Sequence, residues 1–232
     1  MAEVYNNCSV CESGMRNVKK GEKTFEPSGL TNYTDRQEKL LHMIYLTEGG
    51  YANLKGDSGK ETYRGISRVY HPNWSGWEVV DQIKARQGKN TLPNNYDIPE
   101  LKPDVYRFYY ETYYVPMKID NYKDVVMAAL VFHRGIGMGS GNIGMLVTRA
   151  VNRTFGKGIE EPQNKKYPTD EVFKLVNGNR SDDVTENFVI VAKQRYKNID
   201  DKKRASNPSY PGYYEQWCRS IYKDIEYCKS NF

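Results

Sequence analysis

The sequence predicts a mainly α fold: a helical bundle around one central buried helix, with a single small β-hairpin. Three observations carry this. Apolar residues recur at helical spacing through most of the chain after residue 34. The stretch after Asp124 reads Val-Val-Met-Ala-Ala-Leu-Val-Phe, apolar all round, the pattern of a helix with no solvent face. Only residues 51–67 show the short, glycine-punctuated character of a β segment.

Taken in order, residues 1–30 carry Gly, Ser, Lys and Glu with little apolar periodicity and read as an irregular arm. Thr34-Asp-Arg-Gln37 is a capping box, with Thr34 as N-cap and Gln37 reaching back. Leu40, Leu41, Ile44 and Glu48 then share one helical face, and Gly49-Gly50 are expected to end that helix. Residues 51–67 form the hairpin. Trp77 to Arg86 is a short helix, and Thr91 to Pro99 a loop rich in Pro and Asn. Pro103 sits at the start of a helix through Tyr113 or Tyr114, which Pro116 closes. The central helix follows Asp124 and is expected to break in the run Gly135-Ile-Gly-Met-Gly-Ser-Gly141, which lacks the Gly-Lys-Ser/Thr ending of a phosphate loop. Ile143, Leu146, Val147, Ala150 and Val151 mark the next helix, up to Gly156. Thr169 caps a short one through Val176, Ser181 caps a longer one, and Tyr214, Trp217, Ile221 and Ile225 mark the last.

Bulk properties exclude several classes. With 38% apolar and 27% charged residues, 232 residues make one good-sized domain or two small ones. A net charge of +5 without a Lys/Arg stripe argues against a nucleic-acid protein, and suits an enzyme drawn to an anionic surface. No run approaches the roughly 18 apolar residues of a membrane span. Met1 to Asn7 has neither the basic nor the apolar region of a secretory signal. Twenty tyrosines supply flat rings with a hydroxyl, suited to carbohydrate or to a modest core. Cys8-x-x-Cys11 suits a metal knuckle or redox pair, but Cys218 and Cys228 lack knuckle spacing; zinc, a disulfide and unpaired thiols all stay open.

The chemistry concentrates in residues 48–67. Glu48 closes an apolar helical pattern and two glycines follow it; eight residues, those glycines included, separate Glu48 from Asp57, and four more separate Asp57 from Thr62. Glycosidic cleavage commonly uses one carboxyl group as proton donor and a second carboxylate, or a water it holds, across the sugar. A carboxylate on the apolar face of a helix end is costly without a purpose or a partner; a structural partner would be Arg64.

The run Glu48-Gly49-Gly50-Tyr51, Asp57, Gly59, Thr62, Gly65-Ile66 resembles the signature of glycoside hydrolase family 108, a lysozyme-like family of N-acetylmuramidases also called secretion activators. Lys60 stands where that family usually has a second glycine. The resemblance spans roughly residues 35–225, strongest in the first third. It implies a lysozyme-like α+β fold with the hairpin beside the active-site cleft, a catalytic part at 31–124, and a helical part at 125–232 resembling a peptidoglycan-binding region and packed with the catalytic part as one unit.

The same resemblance implies a peptidoglycan hydrolase, with Glu48 as general acid and Asp57 as second carboxylate. Thr62 would hold the attacking water, as in phage lysozymes. Residue by residue the alternatives remain: Asp57 before Ser-Gly is also an ordinary turn residue, Thr62 is at home in a strand, and Tyr51 suits stacking on sugar or packing under the hairpin. Tyr51, Tyr63, Tyr113, Tyr114 and His133 are the expected substrate contacts; Tyr113 and Tyr114 lie where the family has a groove-lining Tyr-Trp segment. His133 replaces the family's usual aspartate after Phe132 and suits a structural role as well. The expected partner is the peptidoglycan glycan strand, acted on at the cell wall by a monomer without cofactor or metal. Delivery would be phage-type release, another export route, or a signal already removed. A wall-binding, secretion-assisting protein and a lytic transglycosylase are the competing readings.

Overall fold

Thr34 begins the first helix as its sequence predicts: its hydroxyl accepts from the Gln37 N–H, and the Gln37 side chain accepts from the Thr34 N–H. The structure is a computed structural model and describes residues 32–53 and 60–232. Cys8, Cys11, the arm and Asp57 lie outside the described residues. The described chain carries eight α-helices and one three-stranded antiparallel sheet, the mainly α architecture that the apolar periodicity predicts.

The chain divides into two compact units, with the division after Thr112. The sequence expectation placed it after residue 124.

In the first unit, α1 (Asp35–Thr47), α2 (Gly76–Arg86) and α3 (Lys102–Tyr109) accompany β1 (Tyr51–Asn53), β2 (Glu61–Tyr63) and β3 (Ile66–Ser67). The strand order is β1-β2-β3. Register pairs Tyr51 with Tyr63 and Tyr63 with Ile66, so these three side chains share one face, and all three are buried. Ala52, Thr62 and Ser67 share the other. Leu40, Leu41, Met43 and Ile44 of α1, Val80 of α2, and Val105, Tyr106 and Tyr109 of α3 are buried too. The loop at 95–96 joins the sheet edge: the Tyr51 N–H donates to the Tyr96 carbonyl and the Asn95 N–H to the Tyr51 carbonyl.

The end of α1 departs from expectation. The chain leaves the helix at Glu48 itself, in extended geometry (φ −82°, ψ 131°), while its N–H still donates to the Ile44 carbonyl. Gly50 serves a different purpose from helix breaking. A side-chain carbon there would stand 2.7 Å from the carbonyl oxygens of Asn95 and Tyr96. Only glycine lets the 95–96 loop close against this backbone.

In the second unit α4 (Val125–Met138) is the central apolar helix, with α5 (Ile143–Phe155), α6 (Asp170–Val176), α7 (Ser181–Ser206) and α8 (Tyr214–Asn231). Asp124 caps α4 through the Met127 N–H and Thr169 caps α6 through the Val172 N–H. Ser181 is the first helical residue of α7 rather than its cap. The expected break in the run 135–141 comes at Gly139 (φ +87°), after α4 has run on through Gly135 to Met138. Gly135 is a packing residue: a side-chain carbon there would lie 2.2 Å from the Met117 sulfur. The helix keeps its i to i−4 bonds and tolerates the glycine, because its neighbours fill the space a methyl would take.

Candidate active site

Glu48 lies in the first unit, beside the β2–β3 turn and α3. It is half-buried at the C-cap of α1. Facing it is Gly65, at the turn between β2 and β3 with φ +74°, a conformation glycine adopts without steric cost. A side-chain carbon on Gly65 would stand 2.5 Å from Glu48 Oε2 and 2.6 Å from the Tyr109 hydroxyl oxygen. The carboxyl group and the phenol therefore converge on the space that Gly65 leaves open. Tyr109 comes from the last turn of α3 and donates its hydroxyl to the Arg64 carbonyl at 2.7 Å.

Arg64 is the partner that sequence reasoning offered to the Glu48 side chain, and its guanidinium is engaged elsewhere. Nη1 donates to the main-chain carbonyls of Tyr45 (2.8 Å) and Glu48 (2.9 Å), the open end of α1. Nη2 donates to Asp97 Oδ1 at 2.6 Å, and the cation lies 4.0 Å from the centre of the Tyr45 ring. Burial opposes the Arg64 charge, yet Asp97 more than offsets this and holds the pKa above its ordinary value. Burial likewise pushes the Asp97 carboxyl up, and the Arg64 hydrogen bond and charge outweigh it, leaving Asp97 below the usual range. The hydroxyls of Tyr45 and Tyr63, each 3.3 Å away, also reach Asp97 Oδ1.

A second charged cluster ties the sheet to α2. Glu61 accepts from Lys84 (2.7 Å) and from the Tyr51 hydroxyl (2.8 Å), and it forms an ion pair with Arg68 (3.1 Å). Asp81 in turn receives Lys84 and Arg68. Thr62 lies between Glu61 and Tyr63 on the opposite face of β2, half-buried, with its hydroxyl 3.5 Å from the carbonyls of Ala52 and Lys60.

The expected substrate contacts fare differently. Tyr51 and Tyr63 are 0% exposed and Tyr114 is 1% exposed, so none has a face for a sugar. Their hydroxyls bond inward: Tyr51 to Glu61, Tyr63 to the Ile98 carbonyl, Tyr114 to Asp120. Tyrosine's apolar body was used here for core, not for stacking. Tyr113 is half-buried in the second unit. His133, also half-buried, bonds through Nδ1 to both oxygens of Asp224 at 2.9 Å. Asp224 also binds Arg134 at 2.6 Å, and both of these charges are buried. His133 thus belongs to a core ion cluster between α4 and α8, which corrects its reading as a substrate contact.

Tyr109, Asp97 and the space over Gly65 were not assigned to the site from the sequence. Asp97 sits in a Pro/Asn-rich loop with no signal of its own. Among the described residues no group of three or more His, Cys, Asp and Glu side chains is arranged to hold a metal ion. No helix there is long and apolar enough to cross a membrane.

Residues 41–139, which contain Glu48, Arg64, Gly65, Asp97 and Tyr109, match the family model described as Glycosyl hydrolase 108. Comparison with curated proteins gives no match. The chain is also similar to the solved structure of Brucella abortus SagA, with a TM-score of 0.52 and 14% identity over 81% of this chain and 90% of that one. At that identity the likeness is one of fold.

Proposed function

We propose that the protein is a peptidoglycan hydrolase of the lysozyme type, an N-acetylmuramidase that cleaves the glycan strand of the bacterial cell wall with Glu48 as general acid. The observation that carries this is the setting of Glu48. Glu48 is half-buried, and its carboxyl group lies over Gly65 beside a tyrosine hydroxyl, inside a region matching a glycosyl hydrolase family. Partial burial disfavours the charged form of a carboxyl group, the condition a proton donor needs near neutral pH. Glu48 protonates the glycosidic oxygen. Asp57 is the second carboxylate, stabilising positive charge at the sugar carbon or activating water, and Thr62 holds the attacking water, which makes the reaction inverting. Tyr113 remains a proposed contact to the glycan. The enzyme works at the cell wall, as a monomer.

The test is mass spectrometry of muropeptides released from purified walls. Reducing muramic acid ends are the expected product. Anhydro-sugars would replace hydrolysis with a lytic transglycosylase reaction, and binding to the wall without release would leave only an adhesive role. Asp57→Asn separates the two roles of Asp57: a loss as large as that of Glu48→Gln marks a general base, a smaller one a charge stabiliser.

A further inference from the structure

The first unit holds a cleft of about 420 Å³ between α2 and the segment 96–100, within the size range of small-ligand sites. Two stretches of sequence build it. On α2, Val79, Ile83 and Arg86 recur at i, i+4 and i+7 and so share one stripe of the helix. Trp77 and Val80 take the core face of α2, and Val79 and Ile83 stay only half-covered. Across the cleft, Ile98 and Pro99 continue the aliphatic surface. The walls are fixed. The Tyr63 hydroxyl accepts from the Ile98 N–H at 2.9 Å, the Tyr51 N–H donates to the Tyr96 carbonyl, and the Gln87 amide at the end of α2 donates to the Tyr96 hydroxyl at 3.4 Å. A cleft held in this way loses little freedom when a ligand enters.

The charges of the cleft decide what it suits. Arg86 and Glu100 both line it and both are exposed, and among the described residues neither has an ion-pair partner. Asp97 lines it too, but its charge is balanced by Arg64. Arg86 or Glu100 alone would be an ordinary solvated surface charge. Together, on one aliphatic cleft, they complement a ligand that carries both signs on an aliphatic body. A neutral sugar ring has neither charge and prefers flat aromatic faces. Among the described residues lining the cleft, Tyr96 is the only aromatic one. We propose that this cleft takes the peptide part of the wall polymer: a short aliphatic peptide whose free carboxylate pairs with Arg86 and whose free ammonium pairs with Glu100. That the peptide comes from the wall rests on reading the protein as a peptidoglycan hydrolase; its chemistry rests on the cleft.

The cleft is joined to the main chain of the proposed proton donor. One guanidinium, that of Arg64, donates to Asp97 Oδ1 at 2.6 Å and to the Glu48 carbonyl at 2.9 Å. An extended peptide covers about 3.3–3.6 Å per residue, so a few residues are long enough to run from the backbone at Glu48 to the cleft. A glycan strand at Glu48 and its peptide branch in the cleft are then held by the same unit. Holding both raises the affinity for wall above that for bare glycan.

The experiment is methyl NMR of the full chain carrying carbon-labelled isoleucine, with the signals of Ile83 and Ile98 assigned through Ile83→Val and Ile98→Val. The probes are trialanine with free ends, the same peptide acetylated and amidated at its ends, and N-acetylchitotriose. Trialanine is expected to shift both methyl signals to saturation, and the blocked peptide to bind about fivefold more weakly. Arg86→Gln and Glu100→Gln should each weaken trialanine by a similar factor while the free variants keep the parent spectrum. Methyl signals that trialanine leaves in place overturn the proposal, as does an affinity indifferent to the peptide's end charges and to both variants. N-acetylchitotriose that shifts these methyls where trialanine does not also overturns it, by making the cleft a glycan site. Trialanine bound at the two methyls, with no sugar ends released from purified walls, supports the peptide site and removes the hydrolase reading.

Discussion

Gly65 and Glu48 share one small volume: the carbon that Gly65 lacks would stand 2.5 Å from Glu48 Oε2. Real side-chain carbons do not approach an oxygen so closely, so a methyl group at 65 must displace the carboxyl group or open the turn. Gly65→Ala also places a side chain at φ +74°, which costs about 1–2 kcal/mol. The expected outcome is a folded, somewhat destabilised protein whose wall lysis falls at least about tenfold, because a small misplacement of a catalytic group is expensive. Thermal unfolding followed by circular dichroism, beside a turbidity assay, checks both parts. Undiminished lysis would show that the carboxyl group does not need its present position.

Acid should weaken the first unit before its carboxylates are protonated. His42 of α1 bonds to the Tyr106 hydroxyl of α3 at 2.7 Å, and burial, aided by the Lys102 charge, lowers its pKa to about 4. The unfolded chain would bind a proton at its ordinary pKa of about 6.5. Between those values the unfolded state holds more protons than the folded one, so stability rises with pH across the window and is lost as pH falls through it. The ring keeps some solvent contact, which reduces the effect to the order of 1 kcal/mol. Denaturant titrations at pH 7 and pH 4.5 measure it, and His42→Gln should flatten the difference.

In the second unit, Gly135→Ala is expected to destabilise although alanine is the better helix former by ~1 kcal/mol. The added methyl would meet the Met117 sulfur at 2.2 Å and the Ile143 side chain at 3.1 Å. Overpacking of this kind costs about 1–3 kcal/mol. A lower midpoint in urea is the expected result. A higher one would mean that Met117 moves aside freely.

The helices were legible because each buries one face, and that requirement writes itself into spacing. Thr34 and Thr169 were legible as caps because their hydroxyls must replace a missing backbone partner. Glycine was read less well. Gly50 stood in the expected helix stop and Gly135 opened the run where the break does fall; what spacing did not show is that both are close-packing positions, which depends on residues distant in sequence such as Met117 and Asn95. The burial of Tyr63 and Tyr114, and the choice between stacking and packing at Tyr51, were illegible for a related reason: composition shows rings with hydroxyls, and only the packed chain shows whether the ring faces solvent. In the site, Glu48 stood out because a carboxyl group at the end of an apolar face is costly. Asp97 did not, since its importance comes from Arg64, 33 residues earlier.

The central claim is that Glu48 gives up a proton to the leaving sugar. Glu48→Gln keeps the shape of the side chain and removes that proton. General acid catalysis is typically worth 10²–10⁴ in rate, so lysis of purified walls by the folded variant should fall by ~100-fold or more. A Glu48→Gln protein that is folded and lyses walls at the parent rate would contradict the account.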